Sequence, residues 1–97
     1  MDTHDLISHR AEIDQIDEQI VALLSQRFSV TKQVGLFKAQ QQLTAVDTLR
    51  EAQQAKRYDA LASLYGLNPV LIQCVFRCII DQVVSDHRSC VTASTTK

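Results

Sequence analysis

The sequence is poor in the residues that form turns. Only two glycines and one proline occur among its 97 residues, and tryptophan is absent. A chain with so few turn-forming residues is expected to fold as one domain made mostly of long helices. Ten Lys and Arg residues oppose eleven Asp and Glu residues, a formal net charge of −1. This balance gives no sign of a general affinity for nucleic acid or acidic membranes, so we expect neither as a partner.

Long hydrophobic runs are also missing. No stretch approaches the roughly 20 apolar residues of a membrane-spanning helix, and the N-terminal segment lacks the apolar core of a signal peptide. We therefore expect a cytoplasmic protein. The three cysteines, Cys74, Cys78 and Cys90, are an odd number without a paired zinc-binding spacing, so the sequence predicts neither a disulfide framework nor a metal site.

An apolar seam dominates the N-terminal part of the chain. Hydrophobic side chains recur there at alternating steps of three and four from Leu6 to Phe37, the heptad pattern of a helix that packs along one face. The pattern predicts one helix of roughly 35 residues, about 52 Å long, whereas a compact chain of this size has a radius of gyration of about 13 Å. Because the remaining residues cannot cover this seam, we predict an intertwined homodimer: an all-α bundle with three helices per chain.

Capping signals place the other two helices. Thr44 and Asp47 resemble a capping box at the start of a second helix, which is expected to run to about Tyr65 and to stop at Gly66.

A third helix is predicted after Asn68, the expected N-cap, and Pro69, a first-turn proline. Its apolar stripe follows the i, i+3, i+4 rule, and His87 continues that stripe. The periodicity then fades. We therefore expect a helical domain over residues 1–88 and a disordered tail over residues 89–97.

Several polar residues are not explained by the fold. Arg27 occupies an a-type position of the seam, where an unpaired guanidinium would cost several kcal/mol in lost hydration, so we expect an anion to meet it. Lys38 lies eleven residues on, and eleven steps of about 100° return it to within about 20° of the same side of the helix. The two cations are thus expected to converge on one small anion. Arg10 is rotated by roughly 100° from Arg27 and is expected to serve the partner's pocket.

The other two helices add acceptors and donors. Asp47, Arg50 and Glu51 share a helix face through i+3 and i+4 spacing. His87 offers a ring nitrogen as a donor, with Val83 one turn before it. These residues predict a mostly cationic pocket suited to a small dicarboxylate that carries a hydroxyl. Since the sequence has no recognisable nucleophile with its base, no HExxH motif and no glycine-rich loop, it favours a rearrangement within one bound molecule.

Each candidate also has a purely structural interpretation. Arg27 could extend along the seam into water or form a salt bridge, and Arg50 and Glu51 could be ordinary solvated helix charges. Asp47 could be only the capping partner of Thr44, and His87 could lie at the rim of the pocket without touching any ligand.

Together the residues resemble the all-helical, type II class of chorismate mutase over about residues 6–88. The resemblance is carried by Arg10 with the following IDQID segment, Arg27, the VGLFK run that ends at Lys38, and VDTLRE, which contains Asp47, Arg50 and Glu51. It implies a monofunctional enzyme that converts chorismate into prephenate for phenylalanine and tyrosine synthesis. The reaction is a Claisen rearrangement that uses no metal and no cofactor.

The resemblance also implies a role for each cation. Arg10 of the partner subunit would join Arg27 of this chain in binding the two carboxylates of the substrate. Lys38 would touch a carboxylate and donate to the ether oxygen whose bond to carbon breaks. Arg50 would complete the basic wall of the pocket.

The remaining positions agree with the family only in part. Asp47 and Glu51 would hold the ring hydroxyl. Val83 stands where the bacterial enzyme of this family has a serine near the ring carboxylate. Valine at this position removes a hydrogen bond worth about 0.5–1.5 kcal/mol. His87 stands where that enzyme has a glutamine as second donor to the ether oxygen. Because a histidine donates more strongly as a cation, we expect activity to depend on pH.

Other functions stay open on the same fold. The departures at Val83 and His87 leave room for an isochorismate pyruvate-lyase or for an aminodeoxychorismate mutase, although the spacing from Lys38 to Arg50 resembles the mutases more closely. A non-enzymatic alternative is a dimeric helical interaction module whose polar seam residues fix the register of the two chains.

Overall fold

A computed structural model describes the backbone of residues 3–95 and the side chains of residues 3–89. Within these bounds the chain forms three α-helices and no strand: α1 spans Thr3–Gln40, α2 spans Thr48–Leu64 and α3 spans Pro69–Thr95. The predicted all-α class and the single very long helix are confirmed. No helix in this part of the chain combines the length and the apolar character needed to cross a bilayer.

The chain divides into two compact units, Met1–Thr31 and Lys32–Lys97. The described part of the first unit is helical throughout and leaves most of the apolar seam exposed. Its exposed large hydrophobic side chains are those of Leu6, Ile7, Ile13, Ile16, Ile20, Val21, Leu23 and Val30. A helix face this apolar gains stability only when another surface covers it.

In the second unit, Asp47 caps α2. Its Oδ1 atom accepts a hydrogen bond from the backbone N–H of Arg50 at 3.0 Å. The predicted capping box, with Thr44 at its start, is wrong, because the Thr44 hydroxyl donates to the carbonyl of Val46 at 2.7 Å instead. A short hydroxyl side chain readily closes such a local turn, which leaves the cap to the carboxylate immediately before Thr48.

The turn between α2 and α3 follows the sequence prediction closely. Gly66 has φ +68°, a left-handed conformation that glycine adopts without strain. The backbone N–H of Leu67 then donates to the carbonyl of Ala62 at 2.8 Å, which completes a Schellman-type helix end. The side chain of Asn68 caps α3 by accepting from the N–H of Val70 at 2.9 Å.

Helices α2 and α3 pack as an antiparallel hairpin. The rings of Tyr58 and Phe76 stack with centroids 4.0 Å apart and planes 11° from parallel. The Gln73 amide donates to the carbonyl of Ala55 at 2.7 Å and to the carboxylate of Asp59 at 2.9 Å. The buried hydrophobic residues of this unit are Tyr58, Ala62 and Ile80. This hairpin core fixes how the polar faces of α2 and α3 are presented.

The backbone of α3 continues to Thr95, although the sequence predicted a disordered tail from residue 89. Once a helix is formed, each further residue adds one backbone hydrogen bond, so the helix does not end where its apolar stripe ends. The Ser89 hydroxyl also donates to the carbonyl of Ser85 at 3.2 Å within this segment. The last two residues of the predicted tail lie outside the described residues.

Candidate functional site

The turn after α1 folds back around Lys38. The backbone N–H of Leu43 donates to the Lys38 carbonyl at 2.8 Å, and the Lys38 ammonium donates to the carbonyl of Ala45 at 3.4 Å. Since Ala45 lies two residues before the N-cap Asp47, these contacts place the ammonium of half-buried Lys38 at the entrance to α2. The structure therefore brings Lys38 to the helix start that carries the predicted acceptors.

The first turn of α2 presents the next three predicted residues. Asp47 is exposed, and its Oδ1 atom is used in the cap of the helix. Arg50 is exposed, whereas Glu51 is half-buried. A carboxylate in the first turn of a helix is favoured by the partial positive charge of the helix N-terminus. The cap thus orients a turn that displays one cation and two carboxylates.

His87 is the one charged or polar side chain that is buried among the described residues, with 3% of its surface exposed. Its ring lies against α1 at Gly35, where a Cβ atom would stand 2.5 Å from Cδ2 and 3.0 Å from Nε2. The Nδ1 atom is buried as well. Val83, one turn earlier on α3, is half-buried. His87 is therefore packed in the interior, on the face of α3 that meets the last turns of α1.

A groove of about 830 Å³ opens beside the start of α2. It mixes both signs of charge with hydroxyl groups, and Arg77 pairs with Asp81 at 3.4 Å on its wall. Among the predicted site residues Glu51 lines this groove, whereas Lys38 and His87 do not. The lining residues are Val46, Glu51, Arg77, Asp81, Val84, Ser85, Arg88 and Ser89.

Sequence reasoning missed two features of this unit. Arg77 and Arg88 are eleven residues apart, the same spacing that drew attention to Arg27 and Lys38, so the signal for a shared helix face was present. Gly35 drew attention only as an interruption of a helix-favouring run and as part of the VGLFK motif. A glycine in a helix interior with no turn to make is itself a signal of a close packing contact.

The two remaining candidates belong to the Met1–Thr31 unit. Arg27 is half-buried and its Nη1 atom is buried, as its position in the seam suggested. Arg10 is exposed on α1. The role predicted for Arg10, in the pocket of a partner subunit, stays a prediction.

Over the described residues, no group of three or more His, Cys, Asp or Glu side chains could hold a metal ion.

Comparison with known proteins identifies the family. The family model described as chorismate mutase type II matches residues 9–88, well over half of the chain. No curated protein matches the sequence. The matched range takes in the whole of α2, most of α1 and α3, and every predicted site residue. Because the match is this extensive and the all-α architecture agrees with it, the chain belongs to the chorismate mutase type II family.

Proposed function

We propose that this protein is a chorismate mutase that converts chorismate into prephenate for phenylalanine and tyrosine synthesis, and that it works in the cytoplasm as a homodimer. The family match over residues 9–88 carries this proposal. The placement of Lys38 supports it, because the ammonium of this half-buried residue reaches the carbonyl of Ala45, two residues before the N-cap of α2.

Lys38 is proposed as the main catalytic group. In the rearrangement the ether C–O bond breaks while a C–C bond forms within the same molecule, and negative charge grows on the ether oxygen. A fixed ammonium beside that oxygen stabilises the transition state more than the substrate. The 3.4 Å contact from the Lys38 ammonium to the Ala45 carbonyl is longer than an ordinary N–H···O hydrogen bond. Exchanging it for a contact with substrate therefore costs little.

The arginines are proposed to bind the two carboxylates of the substrate. Guanidinium groups suit this role because they form paired, charge-assisted hydrogen bonds with carboxylates. Arg27 would act from its own chain, the partner subunit's Arg10 would act across the dimer interface, and Arg50 would complete the basic wall.

The carboxylates of α2 are proposed to hold the ring hydroxyl. Glu51 is half-buried and lines the groove beside α2, which favours it as the main acceptor. Asp47 would combine two duties, with one oxygen in the helix cap and the other directed to substrate.

His87 is proposed as the second donor to the ether oxygen, beside Val83, which offers no hydrogen bond to the ring carboxylate. Its burial supports a fixed ring, and fixed donors stabilise developing charge without reorganising during the reaction.

The homodimer is proposed from the exposed seam of α1. Burying a Leu, Ile or Val side chain contributes roughly 1.5–3 kcal/mol, and such side chains follow one another along the helix. A second copy of the same helix offers a seam of matching length and spacing. Covering it in this way would bring Arg10 to the partner's site.

The function is tested by incubating the purified protein separately with chorismate and with isochorismate and identifying the products. Prephenate from chorismate supports the proposal, whereas salicylate and pyruvate from isochorismate would favour the lyase. Turnover of the amino analogue in preference to chorismate would favour the aminodeoxychorismate mutase. If no substrate reacts and Arg27→Ala leaves the dimer at least as stable, the interaction module becomes the better explanation.

A further inference from the structure

Gly35 occupies a place where neither helix geometry nor a turn calls for glycine. It lies within α1, which continues to Gln40, so it does not end the helix. Among the described glycines, Gly66 has a positive φ and Gly35 does not. Glycine is also the poorest helix former after proline, because it loses the most backbone freedom on folding. Its presence at position 35 therefore has a different cause.

That cause is space for the imidazole of His87. A Cβ atom at position 35 would lie 2.5 Å from Cδ2, 3.0 Å from Nε2 and 3.3 Å from Cγ of the ring. One ring atom would thus clash with the Cβ atom, and two more atoms of the same rigid ring would be in tight contact with it. The whole ring would have to leave its position, and its burial leaves little room for that.

The position of the ring on α1 connects it with the proposed catalytic group. Lys38 lies three residues after Gly35, and residues with this spacing lie on the same face of a helix. A ring packed on Gly35 is therefore one helical turn from the Lys38 backbone. The two proposed donors to the ether oxygen would then approach the same atom from neighbouring turns.

We propose that Gly35 is a positioning residue: its missing side chain creates the seat that holds the His87 imidazole against α1, one turn from Lys38. This inference rests on the proposed function, since it explains how the second donor is aimed. In mutases that carry a different donor at the position of His87, the residue at the position of Gly35 would have to leave space for that side chain instead.

A double-mutant cycle tests the seat. It compares wild type, Gly35→Ala, His87→Ala and the double variant in chorismate turnover, with Gln33→Ala, at an exposed neighbouring position of α1, as the control for an added alanine. A misplaced catalytic group costs up to about a hundredfold in rate, so Gly35→Ala should lower kcat by roughly tenfold to a hundredfold with a smaller change in KM. In the His87→Ala background the same substitution should leave kcat unchanged, because no ring remains to be displaced.

Thermal unfolding of the same proteins tests the packing of His87 on Gly35 independently of catalysis. Alanine has a higher helix propensity than glycine, so Gly35→Ala should raise Tm in the His87→Ala background. When the His87 ring is present, the same substitution should raise Tm less or should lower it. If Gly35→Ala alone fails to fold, recovery in the double variant supports the seat. Equal Tm shifts in both backgrounds, or equal losses of kcat in both, would overturn the inference. No turnover by wild type would overturn the proposed function and the positioning role together, while the Tm cycle would still decide whether the ring needs the glycine.

Discussion

The Oδ1 atom of Asp47 lies 3.0 Å from the backbone nitrogen of Arg50, so a carboxylate that the family resemblance assigns to substrate also caps the helix that carries its neighbours. A single side chain thus links the stability of α2 with the arrangement of the proposed site. Because Asp47 has both roles, different substitutions at this position can separate its effect on helix stability from its effect on substrate binding.

Asp47→Ala should lower the free energy of unfolding by about 1 kcal/mol, because it removes the cap, and should raise KM as well. Asp47→Asn retains a capping oxygen but loses the charge. We therefore expect wild-type stability from Asn together with weaker substrate binding, measured by urea denaturation and steady-state kinetics. Equal KM values for Asn and wild type would restrict Asp47 to the cap.

Lys38→Ala should reduce kcat by roughly 10²–10³-fold, since the variant lacks the charge proposed to stabilise the ether oxygen. Folding should be preserved, because the ammonium makes one long contact with the Ala45 carbonyl. Loss of chorismate absorbance gives the rate, and Lys56→Ala, an exposed lysine of α2, is the matched control. An unchanged rate in Lys38→Ala would contradict the assignment.

Arg27 should be needed for stabilisation by ligand. A small dianion that binds the native site raises stability by RT ln(1 + [L]/Kd), about 2.7 kcal/mol at a hundred times Kd. Prephenate should therefore raise the Tm of wild type and raise that of Arg27→Ala much less. The interaction-module alternative predicts that prephenate protects neither protein. Differential scanning calorimetry of both proteins, with and without prephenate, distinguishes this alternative from the proposed enzyme.

Activity should depend on pH through His87. A protonated imidazole is a stronger hydrogen-bond donor than a neutral one, so kcat is expected to vary with pH wherever the charge of this ring changes. His87→Gln, which donates without titrating, should lose this part of the profile. Two superimposable profiles, one from wild type and one from the glutamine variant, would rule out the histidine as the source.

Arg10 should act across the dimer interface. If it does, Arg10→Ala and Lys38→Ala, each nearly inactive alone, should recover activity when unfolded together and refolded as a mixture, because a mixed dimer contains one site with both residues intact. Sedimentation should also show that Ile13→Asp, in the exposed seam, dissociates the dimer, while Gln15→Asp does not. A mixture no more active than its components would place Arg10 outside the site.

The elements of the fold follow from local signals in the sequence. Heptad spacing predicts α1, and the cap at Asn68 and the stop at Gly66 are confirmed because each depends on the few residues around it. Thr44 was misassigned because a hydroxyl has two local partners of similar energy, a turn carbonyl and a helix N–H, and the sequence alone does not choose between them.

The arrangement of the site is less accessible from sequence. The seat of His87 on Gly35 joins residues far apart in the chain, and it depends on how α3 packs on the end of α1. Helical spacing relates residues only within one helix, so it predicted the candidates on each element without showing which would touch.

Both ends of α2 are fixed, by the Asp47 carboxylate at the start and by left-handed Gly66 after the last turn. One residue inserted between Glu51 and Tyr58 would turn the first part of the helix by about 100° relative to the Tyr58–Phe76 stack. Glu51 would then face away from the groove it now lines. An insertion there that keeps Glu51 facing the groove would therefore add about seven residues, the shortest length that returns the helix to within about 20° of its original facing.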